Sequence, residues 1–290
     1  MEAVMEPAHE SHKHYRKAYA LAKRILLEKK KLRMPLTPVS LNTLLDENRI
    51  SCKQELGILE IPTNLIVGVA GESECCQLYT KDFLPVSPPE SEYADQWCRL
   101  SQALLFSADF DKPISCYEYL GKFYVRDGLK RVSIANYSGV SCISAHVIRI
   151  LPGQIESREV ALYYDFLYQY RLTKLYQLQF TQSGFFEELQ TGLGQKATHR
   201  WSERERISFL AHWTKIEEAF YKSYEDSLLI TAADAMVVLM RKYTFEQIAS
   251  MDSWILARVF QAFGKELYAL SMSVKSAAME DSAENLQQSA

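Results

Sequence analysis

The pattern of apolar residues changes once along this chain, and that change limits the folds it can adopt. Between 57 and 151, short β-branched segments such as 65–69 alternate with turn residues, which is typical of strands. After Pro152-Gly153, apolar residues recur at intervals of three and four, as on one side of a helix. The sequence therefore predicts an α+β protein, in which a small mixed sheet domain precedes an all-helical domain.

These patterns divide the chain into four parts. We predict an N-terminal basic helical arm over 1–50, a sheet domain over 51–153, a helical domain over 154–273 and a disordered tail over 274–290. The arm contains an amphipathic helix over 11–32, which Pro35 ends because proline cannot continue a helix. The tail is polar, as frayed termini commonly are.

Within the helical domain, Ser202 and Glu205 have the spacing of a capping box, in which a hydroxyl and a carboxylate exchange hydrogen bonds with the backbone. The segment 244–259 has some of the spacing of a helix-turn-helix, although Arg258 is the one cation near the start of its second helix. Further helices are predicted over 157–172, 231–243 and 245–271.

Positive charge is concentrated in 12–35. That segment holds nine Lys or Arg residues and one acid, Glu28, so it carries +8 while the rest of the chain carries −11 and the net charge is −3. A basic arm on an acidic body is a marked asymmetry. The arm could bind DNA or another protein, lie on anionic lipid, or pack on the acidic body itself.

The cysteines and the apolar runs indicate a compartment. None of the six cysteines forms a C-x-x-C pair or a set with zinc spacing. The first residues lack the apolar region of a signal peptide, and the longest apolar run, 228–240, is too short to cross a bilayer. We therefore expect a cytoplasmic protein with free thiols and no membrane span.

One junction carries residues suited to chemistry: Asp127, Gly128, Leu129, Lys130 and Arg131 lie between a predicted strand and a predicted helix. Glycine allows a sharp turn and a close approach to a ligand. The start of a helix offers unpaired N–H groups and the positive end of a dipole, so the junction suits a phosphate. The alternative is a tight turn with two solvated cations.

Three segments around this junction, 113–116, 123–135 and 143–147, resemble the ParB/sulfiredoxin-like superfamily. That superfamily has a proline-led strand, a strand that ends in a Gly-x-basic-Arg turn, a helix and a further strand. The resemblance implies a nucleotide at the turn, held by residues that match Gly128, Lys130 and Arg131, with a nucleoside triphosphate and Mg²⁺ as the cofactor. Leu129 departs from the pattern, and the turn lacks the cysteine that cysteine repair requires.

A closer likeness runs over about 12–270. It is to a poorly characterised Firmicutes group in which a ParB-like region and a helical region precede a basic-membrane-protein-type solute-binding domain. This sequence contains no such domain, so the chain either stands alone or is a piece of a longer protein.

The sequence identifies no catalytic acid, because a solvated face is the favoured interpretation for each of the four candidate carboxylates: Asp82, Glu92, Glu118 and Asp127. The expected function is a nucleotide- or phosphate-binding regulatory module with weak or no turnover. The alternatives are a non-catalytic interaction scaffold and a DNA-binding protein that uses the arm and the C-terminal helices.

Overall fold

The computed structural model describes residues 7–45, 50–71, 73–107, 112–153, 157–224 and 227–288, and the chain divides into two units, 1–154 and 155–290. The first unit combines helices with a six-stranded sheet, and the regular elements described in the second unit are all helices. The chain is therefore a mixed α+β protein, as its sequence predicts.

The sheet of the first unit has the strand order β1-β3-β5-β4-β6-β2. Its strands are β1 Val39–Ser40, β2 Ile50–Pro62, β3 Ile66–Val69, β4 Ile114–Tyr119, β5 Lys122–Asp127 and β6 Cys142–Pro152. The strand β6 runs antiparallel to β2 and parallel to β4, and β4 and β5 form an antiparallel hairpin. The end of β5 therefore lies inside the sheet, beside the start of β4.

A buried ion pair supports the β4–β5 hairpin. The two hairpin turn residues, Leu120 and Gly121, both have positive φ, as a two-residue turn of this hand requires. Glu118 accepts a hydrogen bond from the Gly121 N–H at 2.8 Å and a second from Arg149 on β6. Its side chain is fully buried. Glu118 thus joins β6 to the hairpin and does not lie on a solvated face.

The N-terminal helix packs on the same unit as the sheet. The helices of this unit are α1 Pro7–Lys31, α2 Ser73–Cys76, α3 Glu92–Ser107 and α4 Leu129–Tyr137. Tyr15 of α1 is fully buried, with its ring 5.3 Å from that of Trp97 on α3. Trp97 in turn donates a hydrogen bond to Ser133 of α4 at 3.1 Å. The apolar stripe that identifies α1 in the sequence therefore packs against α3, so α1 is part of the first unit and is not a separate arm.

The second unit is built around one apolar helix. Its helices are α5 Arg158–Thr173, α6 Phe185–Gly192, α7 Glu203–Tyr224, α8 Ala232–Met240, α9 Phe245–Ser250, α10 Ser253–Ala262 and α11 Gly264–Gln288. Residues 232–239 of α8 are all buried. Asp234 among them accepts four hydrogen bonds from Thr181 and Thr231, which satisfy the buried carboxylate, while desolvation raises its pKa.

Two sequence predictions for this unit differ from the structure. The predicted helix over 245–271 is three helices, because Met251 and Asp252 are extended and α10 restarts after them. The predicted disordered tail over 274–290 is helical as far as Gln288, and its Ala, Glu, Gln and Met residues are strong helix formers. Residues 289 and 290 lie outside the described residues.

The predicted capping box at the start of α7 is confirmed. The Glu205 carboxylate accepts the Ser202 N–H at 2.7 Å, and the Ser202 hydroxyl accepts the Glu205 N–H at 3.3 Å. Hydrogen bonds from the Ser202 hydroxyl, the Ser202 N–H and His199 lower the pKa of Glu205 to about 2. The ionised carboxylate therefore stabilises the start of this helix.

Substituting Glu205→Gln is expected to lower the melting temperature at pH 7, with the difference from wild type disappearing in acid. Because the folded-state pKa lies below the unfolded value, the carboxylate stabilises the fold above about pH 4.5 and loses that effect as the pH falls toward 2. Circular dichroism melts between pH 2 and 7 measure this. Glu203→Gln, in the same helical turn, is the matched control, and an equal pH profile for both variants would contradict the capping role.

Candidate functional site

The junction that the sequence singles out lies where β5 passes into α4. Gly128 is the N-cap of α4 and has φ +101°, in the left-handed region that favours glycine. A Cβ atom built at Gly128 would lie 2.6 Å from Cγ2 of Ile114 on β4. Both the backbone conformation and the close approach to β4 therefore require glycine at this position.

The first turn of α4 has no side-chain cap. Val132 donates the first bond of the helix, to the Gly128 carbonyl at 3.1 Å. The N–H groups that precede Val132 have no partner within the helix, and the positive end of the helix dipole lies there. This end of α4 can therefore accept an anion.

Arg131 holds the junction together. Its Nη1 donates to the backbone carbonyls of Lys112 and Pro113, at 2.5 and 3.2 Å, and its Nη2 lies 3.7 Å from the Asp127 carboxylate. The guanidinium thus joins the start of β4 to the first turn of α4. The sequence predicts Arg131 as a phosphate ligand, but the structure places much of its hydrogen-bonding capacity on the backbone.

Lys130 has a different environment. Its Nζ lies 5.3 Å from the centre of the Tyr93 ring on α3, which is a cation–π contact. No ion pair to an acid involves Lys130 in the part of the chain that the structure describes. A ligand can therefore bind Lys130 without breaking an ion pair, whereas binding Arg131 would compete with its hydrogen bonds to the backbone.

All five predicted site residues line one cleft of about 390 Å³. Arg126 also lines the cleft. Its guanidinium contacts an aromatic ring as well, since it lies 6.0 Å from the centre of the Tyr117 ring. The remaining lining residues are Leu78, Tyr79, Tyr93 and Leu100. The cleft therefore joins a cationic helix end to an apolar and aromatic wall, which the sequence of the junction alone does not reveal.

Burial keeps the two tyrosines of this wall neutral. Desolvation raises the pKa of Tyr79 to about 12, and it raises the pKa of Tyr93 further. The Tyr93 hydroxyl is itself buried, so its ring faces Lys130 while its oxygen is withdrawn from solvent. The wall therefore offers aromatic surface to a ligand and no phenolate.

Only one of the four candidate acids lies at the cleft. Asp127 lines it, and its side chain is 81% exposed. Asp82 is paired with Lys29 at 2.8 Å, Glu92 accepts a hydrogen bond from Gln96, and Glu118 is the buried partner of Arg149. Among the residues that the structure describes, no group of three or more His, Cys, Asp or Glu could hold a metal ion.

Substituting Gly128→Ala is expected to lower the free energy of unfolding by about 2–5 kcal/mol. The left-handed conformation costs a non-glycine residue about 1–2 kcal/mol, and overpacking against Ile114 adds about 1–3 kcal/mol. Gly139→Ala, at φ +70° with open space around its Cβ, has only the first cost and is the matched control. Urea denaturation of both variants measures the difference, and equal losses would disprove the tight contact with Ile114.

Substituting Arg131→Ala is expected to cost about 2 kcal/mol of stability, because its hydrogen bonds to two carbonyls are charge-assisted. Lys130→Ala, one residue away, should cost less than about 1 kcal/mol, since it removes a single cation–π interaction. The same denaturation experiment compares them. A larger loss for Lys130→Ala would mean that Arg131 does not hold the junction.

Comparison of the chain with protein-family models, with curated proteins and with solved structures gives no match. No helix in the described ranges is long and apolar enough to span a membrane. The function therefore has to be inferred from the site, since a fold by itself does not specify one.

Proposed function

We propose that this chain is a cytoplasmic nucleotide- or phosphate-binding regulatory module with a ParB/sulfiredoxin-like first unit and weak or no turnover. The observation that carries the proposal is the gathering of Asp127, Gly128, Leu129, Lys130 and Arg131 around one cleft, at an uncapped helix N-terminus. The order β4, β5, α4, β6 is the order that the resemblance implies. The six free cysteines support a reducing compartment.

The phosphate groups would lie at the start of α4. There the N–H groups of the first turn and the helix dipole favour an anion, and Lys130 adds a positive charge. Leu129 contributes its backbone N–H alone, since its side chain is apolar. The apolar and aromatic residues beside the turn, Leu78, Leu100 and Tyr93, supply a surface suited to a flat heterocycle.

A magnesium ion fits this arrangement through Asp127. Mg²⁺ in nucleotide sites is commonly held by one or two carboxylates together with phosphate oxygens and water. The exposed carboxylate of Asp127, beside the first turn of α4, can supply the protein's share. Magnesium would neutralise phosphate charge there.

The same geometry supports weak or no turnover. Hydrolysis needs a group that orients or deprotonates water, within reach of the phosphate. Asp82, Glu92 and Glu118 each have a partner elsewhere, which leaves Asp127 as the acid at the cleft. Binding without efficient chemistry suits a regulatory role.

One observation favours the alternative of a non-catalytic interaction scaffold. The guanidinium of Arg131 already bonds two backbone carbonyls, so the residue has a structural reason to be there without any ligand. Under this alternative the cleft binds no nucleotide, and adding nucleotides leaves the melting temperature of the protein unchanged.

A thermal-shift panel on the full chain separates these functions. It uses ATP, CTP, GTP, UTP and the diphosphates, each with magnesium or with a chelator. A ligand at a hundred times its dissociation constant stabilises the folded state by about 2.7 kcal/mol, which gives a readily measured shift. We expect one nucleotide to stand out, and a flat panel would favour the scaffold.

The variant Lys130→Ala is expected to bind that nucleotide about tenfold more weakly, or weaker still, because the variant lacks a charge-assisted interaction with phosphate. The matched control is Lys53→Ala, which removes another lysine that lies over a tyrosine ring, 5.7 Å from the centre of Tyr117 and away from the cleft. The control should bind as wild type does. Equal affinity for the two variants would disprove the phosphate site at α4.

A further inference from the structure

The outer face of α1 carries an ordered array of positive charge. Three adjacent cation pairs, Arg16-Lys17, Lys23-Arg24 and Lys30-Lys31, recur every seven residues, and all six side chains are exposed. Seven residues of helix rise about 10.5 Å. The two members of each pair lie about 100° apart around the axis, so the cations form two parallel columns along the helix. Within each column the positive charges are therefore spaced about 10.5 Å apart.

The helix itself does not require this array. Cations in the last turn, such as Lys30 and Lys31, are favoured by the helix dipole, but Arg16 to Arg24 lie in the middle of α1, where that effect is weak. Like charges three and four residues apart repel one another, as Lys13 does with Arg16 and Lys17. Glu28 can offset charge near Arg24 and Lys31, but the repulsion among Lys13, Arg16 and Lys17 lowers the stability of α1 until negative charge neutralises it.

The described part of the first unit supplies little of that negative charge. Lys29 is paired with Asp82 at 2.8 Å, on the inner side of α1. None of the six paired cations forms an ion pair with an acid elsewhere in the described ranges. Lys29 therefore pairs with an acid of the first unit, as expected if the basic segment packs on the acidic body. The two outer columns remain available to a partner.

The other face of α1 excludes a membrane as the preferred partner. Helices that lie in the membrane interface bury an apolar face among the lipids. The apolar face of α1 is already buried in the protein, with Tyr15, Ala18 and Ala22 all at 0% exposure. Among the described residues of this segment, Leu27 and Leu32, which directly follows α1, are the large apolar side chains exposed beside the columns. Two separate leucines are too little surface to anchor the helix.

The aromatic residues of α1 exclude base stacking. Proteins that bind single strands stack the bases on exposed rings. Tyr15 is buried, and Tyr19 is partly buried with the Lys23 ammonium 4.6 Å from its ring centre. The face therefore presents cations without a stacking surface, which suits a regular phosphate backbone.

We propose that the outer face of α1 binds the phosphodiester backbone of duplex nucleic acid without reading its base sequence. Two columns of cations can contact phosphates on both sides of a groove, since the major groove of DNA is about 12 Å wide and accepts a helix. Neutralising these phosphates releases counterions, so the affinity falls steeply with salt. This proposal does not depend on the cleft at α4.

The test compares two quadruple variants of the full chain. R16Q/K17Q/K23Q/R24Q removes the centre of the array, and K196Q/R200Q/R204Q/K222Q removes two exposed lysines and two exposed arginines from the second unit. The net charge change is the same in both. The probes are duplex DNA and duplex RNA of random sequence, single-stranded DNA of equal length, and vesicles with 30% phosphatidylserine.

We expect wild type and control to bind a duplex with a steep salt dependence between 50 and 200 mM salt. The α1 variant should bind more than tenfold more weakly at 50 mM. Its slope of log K against log salt should be shallower by about 3 to 4, which is about 0.9 for each phosphate that the variant no longer neutralises. Its melting temperature should equal or exceed that of wild type, because repulsion within α1 is relieved. The two duplex arms decide between DNA and RNA.

Three outcomes would overturn the proposal. They are the same loss of affinity in both quadruple variants, tighter binding of the single strand than of either duplex, and binding to the vesicles without binding to a duplex. Nucleotide binding at the cleft is measured separately by the thermal shift, so each proposal can fail alone.

Discussion

The contact of Arg131 with the carbonyls of Lys112 and Pro113 is the interaction that holds the candidate site together. It joins the start of β4 to the first turn of α4, across the point where Gly128 lets β5 pass within contact of Ile114. Because Gly128 is also the N-cap of α4, this junction positions the start of α4 beside the start of β4. The cleft exists because these elements meet there at close range.

This constraint also decides which residues can act on a ligand. A guanidinium that bonds backbone carbonyls stabilises the protein whether or not a phosphate is present. The capacity to bind an anion then rests on the uncapped end of α4 and on Lys130, which lies over the Tyr93 ring. An arginine that bonds the backbone, beside a lysine that forms no ion pair in the described residues, would let one short turn support the fold and still be available for the proposed binding.

The helix α1 likewise combines residues that pack in the fold with charged residues that are exposed. Its inner face is a packing surface, where Tyr15 meets Trp97, and its outer face is a surface of positive charge. The apolar contacts hold the charges in place at fixed intervals. A rigid array of this kind loses less entropy on binding than a flexible basic tail would, which is the physical advantage of folding the basic segment onto the unit.

Much of the local structure was determined by the sequence itself. The strand that ends at Asp127, the helix that follows it, the cap at Ser202 and the amphipathic character of α1 follow from propensity, spacing and periodicity over a few residues. So does the position of the glycine turn, and with it the composition of the candidate site. These features depend on neighbours along the chain, which are visible in the sequence.

Only the tertiary structure decided the roles of individual side chains. Glu118 is a buried partner of Arg149, and Arg131 bonds to the backbone just before β4. The apolar and aromatic wall of the cleft comes from two segments, 78–79 and 93–100, that lie far from the turn in sequence. Each of these outcomes depends on contacts between distant residues, and no local pattern specifies which distant residue a side chain will meet.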